Sequence, residues 1–180
     1  MQITLVSEYD PAWAEMFECI AAKLSAALDG QHSCIEHIGS TSIPGMVAKP
    51  IIDLVVIIEP GRLDEAIDAL ATIGFCHEGD LGIPGREAFK PDEGTEAARL
   101  PRHHLYICPK GNRSLLEQLA FRDYLREHPQ QIKRLSEHKR ALCIEHANDK
   151  ALYIRGKSEM VREIIRAAMP DGQCLAPNVD

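Results

Sequence analysis

One stretch of this sequence gathers most of the side chains able to do chemistry. It runs Glu36-His37-Ile38-Gly39-Ser40-Thr41-Ser42-Ile43-Pro44-Gly45, with Lys49 and Asp53 just beyond it. Gly39 has no Cβ and lets a backbone or ligand approach closely. Ser40, Thr41 and Ser42 add hydroxyls and backbone N–H groups, donors suited to an anion-binding nest. These four residues are the candidate phosphate-binding loop. A plain turn capped by Ser and Thr is the competing reading, and the loop alone does not choose between them. The pattern GxxxxGK[ST] is absent, so this is not a Walker loop. Asp53 lies inside the apolar run Ile51-Ile52-Asp53-Leu54-Val55-Val56-Ile57-Ile58. A buried carboxylate without a partner costs several kcal/mol, so Asp53 calls for a divalent cation, Lys49 or another basic side chain. Mg²⁺ takes carboxylate oxygens and shares its shell with substrate phosphates. A strand-end salt bridge is the bland alternative.

Two histidines extend the set. Convergence of His37, Asp53 and His104 at one sheet edge would suit Zn²⁺, Mn²⁺ or Fe²⁺ better than Mg²⁺. His37 is alternatively a general base, because its ordinary pKa is near neutrality, or a structural histidine. His103 and His104 alternate across a strand, so only one faces the site; by the same alternation Glu36 points away from His37. Lys49, Arg86 and Lys157 are the candidate phosphate-neutralising cations, with Arg102, Arg122 and Arg126 as further basic groups. Lys133, Arg134, Lys139 and Arg140 read as solvated helix-surface charges near Glu137 and Glu145.

Several elements must position these residues. Asp10-Pro11 predicts a helix start, with Trp13, Phe17, Ile20, Leu24 and Leu28 at helical spacing and Gly30 as its end. Residues 33–38 and 50–58 read as strands, the second central and covered on both faces. Residues 63–73 form a helix, and a further strand begins at Gly74-Phe75. The Gly- and Pro-rich stretch 79–101 holds one short strand, 87–90, in an irregular connection of the kind that often carries function. Residues 103–108 complete the strands. Helices follow over 115–127, 130–148 and 158–169. The expectation is an α+β fold, a mixed sheet of about four to five strands flanked by helices, with a helical C-terminal part. The N-terminal helix and the three C-terminal helices are expected to frame the cleft. Residues 1–170 read as one domain and 171–180 as a flexible tail.

Composition narrows the function classes. The chain has 180 residues and a formal net charge of −7, so no general attraction to nucleic acid or anionic membrane is expected. No apolar run of roughly 18 or more residues suggests a membrane span. The N-terminus lacks the pattern of a signal peptide, which implies a cytoplasmic location. The six cysteines show no CxxC spacing and read as reduced, mostly small core residues.

The run Glu36 to Gly45, followed by Lys49-Pro50-Ile51-Ile52-Asp53, resembles the signature of the GrpB-like family. His103-His104-Leu105, Phe121-Arg122-Asp123-Tyr124-Leu125-Arg126, Tyr153 and Lys157 extend the resemblance over nearly the whole chain. The family is similar to the nucleotidyltransferase fold, and a related domain occurs at the C-terminal end of some dephospho-coenzyme A kinases. The resemblance implies that Gly39 and Ser40 hold phosphates. It also makes Asp53 the first of two metal-binding carboxylates one residue apart; the second position is Val55. Three functions follow as expectations. The first is a nucleotidyltransferase-like protein that binds a nucleotide or other phosphorylated ligand with a divalent metal, Mg or Mn before Zn. In it Asp53 and His37 are catalytic and Asp53 and His104 are metal ligands. The second is a catalytically degenerate ligand- or partner-binding module of the same fold. The third is a metal-dependent hydrolase using His37, Asp53 and His104.

Overall fold

Asp10 and Pro11 start the first helix as their chemistry requires. The Asp10 carboxylate accepts from the Ala12 N–H at 2.9 Å, and α1 runs Ala12–Leu28. In the computed structural model, which describes residues 2–170, there follow β1 (Cys34–Ile38), a short 3-10 turn (Ser40–Ser42), β2 (Ile52–Ile58), α2 (Leu63–Ala71), β3 (Phe75–Gly79), β4 (Glu87–Pro91) and β5 (His103–Pro109). The chain then turns helical with α3 (Arg113–Glu127), α4 (Pro129–Glu145) and α5 (Lys150–Ala168). The strands form one mixed sheet in the order β1-β2-β5-β4-β3, with β2 and β5 parallel and the other pairs antiparallel. The architecture is α+β, as expected. The tail 171–180, with Cys174, lies outside the described residues. Among the described residues no helix is long and apolar enough to cross a membrane.

Register divides the chemistry between the two faces of the sheet. Ile38, Asp53 and His104 stand opposite one another across β1, β2 and β5, and so do His37, Leu54 and Leu105. Paired residues share a face and their neighbours take the other. One face carries Ile52, Leu54, Val56, Ile58, Leu105 and Ile107 and is buried under α1 and α2. The other carries Ile38, Val55, Ile57 and Cys108 and packs against Leu115 of α3. Beyond it, Phe121 and Leu125 of α3, Leu135 of α4 and Ile164 of α5 close over Ile43 and Met46.

Three expectations are corrected. The last helix starts at Lys150, where the Asp149 side chain caps the Leu152 N–H at 2.8 Å. Gly156 disguises that start in the sequence, yet it sits inside the helix because a Cβ there would lie 2.5 Å from Leu142 Cδ2 on α4. The N-terminal helix does not frame a cleft with the C-terminal ones, since it covers the opposite face. Cys19 and Cys76 are exposed rather than core; Cys108 and Cys143 are buried.

A single guanidinium ties α3 to the edge strand. Arg122 Nη1 donates to Glu36 Oε2 at 2.6 Å and to the His37 carbonyl at 3.0 Å, while Nε donates to Asp123 Oδ1 at 2.7 Å. Breaking a fully buried pair costs about 3–5 kcal/mol. The Glu36 side chain is 34% exposed, so water recovers part of that. Arg122→Ala is expected to lower unfolding free energy by roughly 2 kcal/mol, read from the midpoint shift in chemical denaturation.

Candidate functional site

The chain leaves β1 directly above Asp53. Ile38 is paired with Asp53, so the next residue turns across that carboxylate. Gly39 does so at φ 69, ψ −169, a conformation essentially restricted to glycine. A Cβ at Gly39 would lie 2.5 Å from Asp53 Oδ2. The turn then consumes two of its own hydroxyls. Ser42 Oγ donates to the Gly39 carbonyl at 2.7 Å, and Thr41 Oγ1 bonds His37 Nε2 at 3.0 Å and the Ile51 carbonyl at 3.4 Å. Arg126 clamps the Ser42 carbonyl from α3 with Nε at 3.1 Å and Nη2 at 2.7 Å. Thr41 and Ser42 therefore shape the loop with buried side chains, whereas Gly39 and Ser40 reach the cavity beside it.

That cavity measures about 340 Å³ and lies on the face opposite α1. Gly39, Ser40, Asp53, Arg86, Tyr106, Gln118 and Lys157 supply its polar lining; Ile38, Phe121, Val161 and Ile165 supply apolar wall. The expected trio does not assemble. His104 donates from Nδ1 to Asp53 Oδ1 at 2.7 Å, so those two meet. His37 is turned to the other face, its ring stacked on Phe17 with centroids 4.8 Å apart. Strand alternation is the reason, because His37 is in register with Leu54. Burial, then the Arg126 charge, pushes the His37 pKa down to about 4 against the pull of Asp53. As strand alternation requires, only one of His103 and His104 faces Asp53: His103 pairs with Ile52, and its ring bonds the Pro101 carbonyl at 2.7 Å.

A divalent metal finds a thin donor set here. Among the described residues no group of three His, Cys, Asp or Glu side chains converges. Val55 shares the Asp53 face but is 0% exposed, packed with Ile38, Ile57, Cys108 and Leu115. Clamping two ions requires several ligands. Asp53 and His104 do not fit that demand.

Cations crowd the site instead. Lys139, expected as a surface charge, is 1% exposed. Its Nζ donates to Ser40 Oγ at 2.7 Å and to the Val47 carbonyl at 2.8 Å. Burial, then the Lys157 charge, brings the Lys139 pKa down to about 7; Asp53 opposes the shift and Lys49 adds to it. Lys157 is itself lowered by burial and then by Lys49, again opposed by Asp53. Lys49 is lowered by burial and then Lys150, with Asp53 opposing. Three amines thus bear on one carboxylate. Arg86 lies over the Tyr106 ring, 4.4 Å from its centroid, and its buried Nε has no hydrogen-bond partner. The sequence held a signal for Lys139: buried Leu135, Ser136, Leu142 and Cys143 flank it at helical spacing, so it belongs to the apolar stripe of α4. Its neighbours behave as surface charges, with Arg134 on Glu163 and Arg140 on Glu8.

Comparison with known proteins bears on the family and the fold. The family model described as GrpB protein matches residues 2–167. The chain is 34% identical over 158 residues to the UPF0157 protein YqkA of Bacillus subtilis (strain 168), covering 86% of this chain and 44% of that one. It therefore spans less than half the length of that relative. The crystal structure of conserved protein GrpB from Enterococcus faecalis is similar at TM-score 0.79 and 34% identity, covering 92% of this chain and 97% of that one. A more distant likeness is to Cid1 in complex with its short product ApU, at TM-score 0.51 and 14% identity over 73% of this chain and 40% of that one. This last likeness concerns the fold, which is nucleotidyltransferase-like.

Two outcomes are expected of this site. Gly39→Ala forces a side chain into a glycine-only conformation, which costs about 1–3 kcal/mol before Asp53 is displaced; calorimetric unfolding reads the loss. His37 is held neutral in the folded state, so below its ordinary value of 6.5 the unfolded chain takes up a proton that the folded one refuses until about pH 4. Stability falls as pH drops through that window. In His37→Gln the slope of unfolding free energy against pH over the same window is expected to be smaller than in the parent.

Proposed function

The chain belongs to the GrpB family, and we propose that it binds a nucleotide or another phosphorylated small molecule over Gly39 and Ser40, using cations rather than a metal to hold the phosphate. The observation that carries this reading is one cavity lined by Gly39, Ser40, Arg86 and Lys157, with Lys139 bonded to Ser40 behind it and the Asp53 carboxylate already paired with His104. Taking a charge out of water is costly unless a counter-charge meets it. Asp53 is already engaged by His104, so an incoming phosphate would supply the counter-charge for Lys157 and Arg86. Ser40, Lys157 and Arg86 line the cavity where such a group would sit, with the Arg86 Nε–H as an uncommitted donor. The net charge of −7 adds no long-range pull, so the attraction is local. The ligand is then held on a nucleotidyltransferase-like scaffold without the family fold's paired carboxylates.

The second reading is metal-dependent nucleotidyl transfer, with Mg or Mn at Asp53 and His104. The pairing of Asp53 with His104 on adjacent strands of one face favours it. The two readings separate in one experiment. Thermal unfolding is followed with each nucleoside triphosphate and with pyrophosphate, in EDTA and in Mn²⁺. Ligand binding at a hundredfold excess over Kd stabilises by about 2.7 kcal/mol. The expected result is stabilisation by at least one of these ligands in EDTA, abolished by Lys157→Ala. Stabilisation only in Mn²⁺ would favour the transferase, and no shift with any ligand at millimolar concentration would remove both.

A further inference from the structure

Lys139 stands behind the cavity rather than in its wall. It is 1% exposed, and it meets the cavity through Ser40, whose Oγ lies 2.7 Å from its Nζ. A lysine meant only to neutralise a ligand would stand in the cavity wall, as Lys157 does. Lys139 instead donates one hydrogen to the Val47 carbonyl at 2.8 Å and turns toward a single hydroxyl. The Val47 N–H is held in turn by Ser136 Oγ at 3.1 Å, so the acceptor is anchored by the same helix that carries the lysine. In its neutral form the amine keeps the Val47 bond and offers a lone pair to the Ser40 hydroxyl hydrogen. This is the arrangement of a nucleophile with its base.

We propose that Ser40 and Lys139 form a nucleophile–base pair through which Ser40 accepts a phosphoryl group from the ligand bound in the cavity. The choice of a phosphoryl donor rests on the phosphate-binding reading above; the pair itself does not. The step balances without a co-reactant. The Ser40 Oγ–P bond forms, the bond from phosphorus to the leaving oxygen breaks, and the Ser40 proton passes to Lys139 Nζ and then to the leaving group. Water attack on phosphorus, with Lys139 again taking the proton, restores Ser40. Lys157 and Arg86 on the cavity wall are placed to offset charge on the phosphoryl oxygens. Burial and the charges of Lys157 and Lys49, opposed by Asp53, bring Lys139 to about 7, where a substantial neutral fraction coexists with a useful basicity. A serine activated in this way needs no second carboxylate, which accords with Val55 at that position.

The test uses the full chain with acetyl phosphate, and separately with each nucleoside triphosphate, in EDTA. Intact mass and peptide mapping follow the product. The expected result is a phosphoryl adduct on Ser40, absent from Ser40→Ala and formed about a hundredfold more slowly in Lys139→Met. In the unmodified chain the labelling rate should rise with pH through about 7, a readout that holds even if Lys139→Met does not fold. An acetyl adduct, an adduct on another residue, no adduct, or a rate independent of pH overturns the pair. Ligand-induced stabilisation that persists without an adduct overturns this inference alone and leaves the binding reading intact.

Discussion

Gly39 and Asp53 compete for one small volume, and the contest is settled by the missing side chain. The antiparallel register of β1 on β2 brings Asp53 beneath the point where the chain must turn. A Cβ on Gly39 would meet the carboxylate at 2.5 Å, so backbone and aspartate occupy the same corner only because glycine is there. The positive φ at Gly39 then aims Ser40 into the cavity. From that follow the inward bonds of Thr41 and Ser42, the Arg126 clamp on the Ser42 carbonyl and the meeting of Ser40 with Lys139. The site is therefore a property of strand register as much as of any polar side chain.

Charge is the second constraint. The sheet face that carries Asp53 also bears Glu36, His104 and Tyr106, and the amines that feel its charge are carried outside the sheet: Lys49 by the segment before β2, Lys139 by α4 and Lys157 by α5. Each is lowered by burial, and each is pulled back by the same aspartate. Arg122 and Arg126 differ in kind, because they end on Glu36, Asp123 and backbone carbonyls and so hold the loop in place. Fixed guanidinium struts and desolvated amines divide the positive charge into structural and available portions.

Much of this was legible in the residues themselves. The apolar run around Asp53, the alternation of His103 and His104, and the glycine before Ser40 placed β2, β5 and the loop correctly. His104 met Asp53, while His37 did not, since one step along a strand reverses the face. That reversal depends on which residue of β1 pairs with Asp53, a long-range fact that local pattern does not carry. Lys139 was misread for a related reason. Glu137 and Glu145 close by in the sequence described a solvated face, although neither stands three or four residues from Lys139, and only the flanking leucines pointed inward. Which signal wins depends on what α4 packs against. The early start of α5 was hidden by Gly156, which looks like a helix breaker until its neighbour Leu142 is in view.

That same glycine has a reach beyond packing. Gly156 precedes Lys157 on α5, and Leu142, which it admits, lies less than one helical turn from Lys139 on α4. The closeness of the two helices thus sets the distance across which the Lys157 charge bears on Lys139. A side chain at position 156 would push the helices apart and relax that repulsion without touching any group in the cavity. The acidity of Lys139 is in this sense tied to an interhelical distance, adjustable from a position outside the cavity lining.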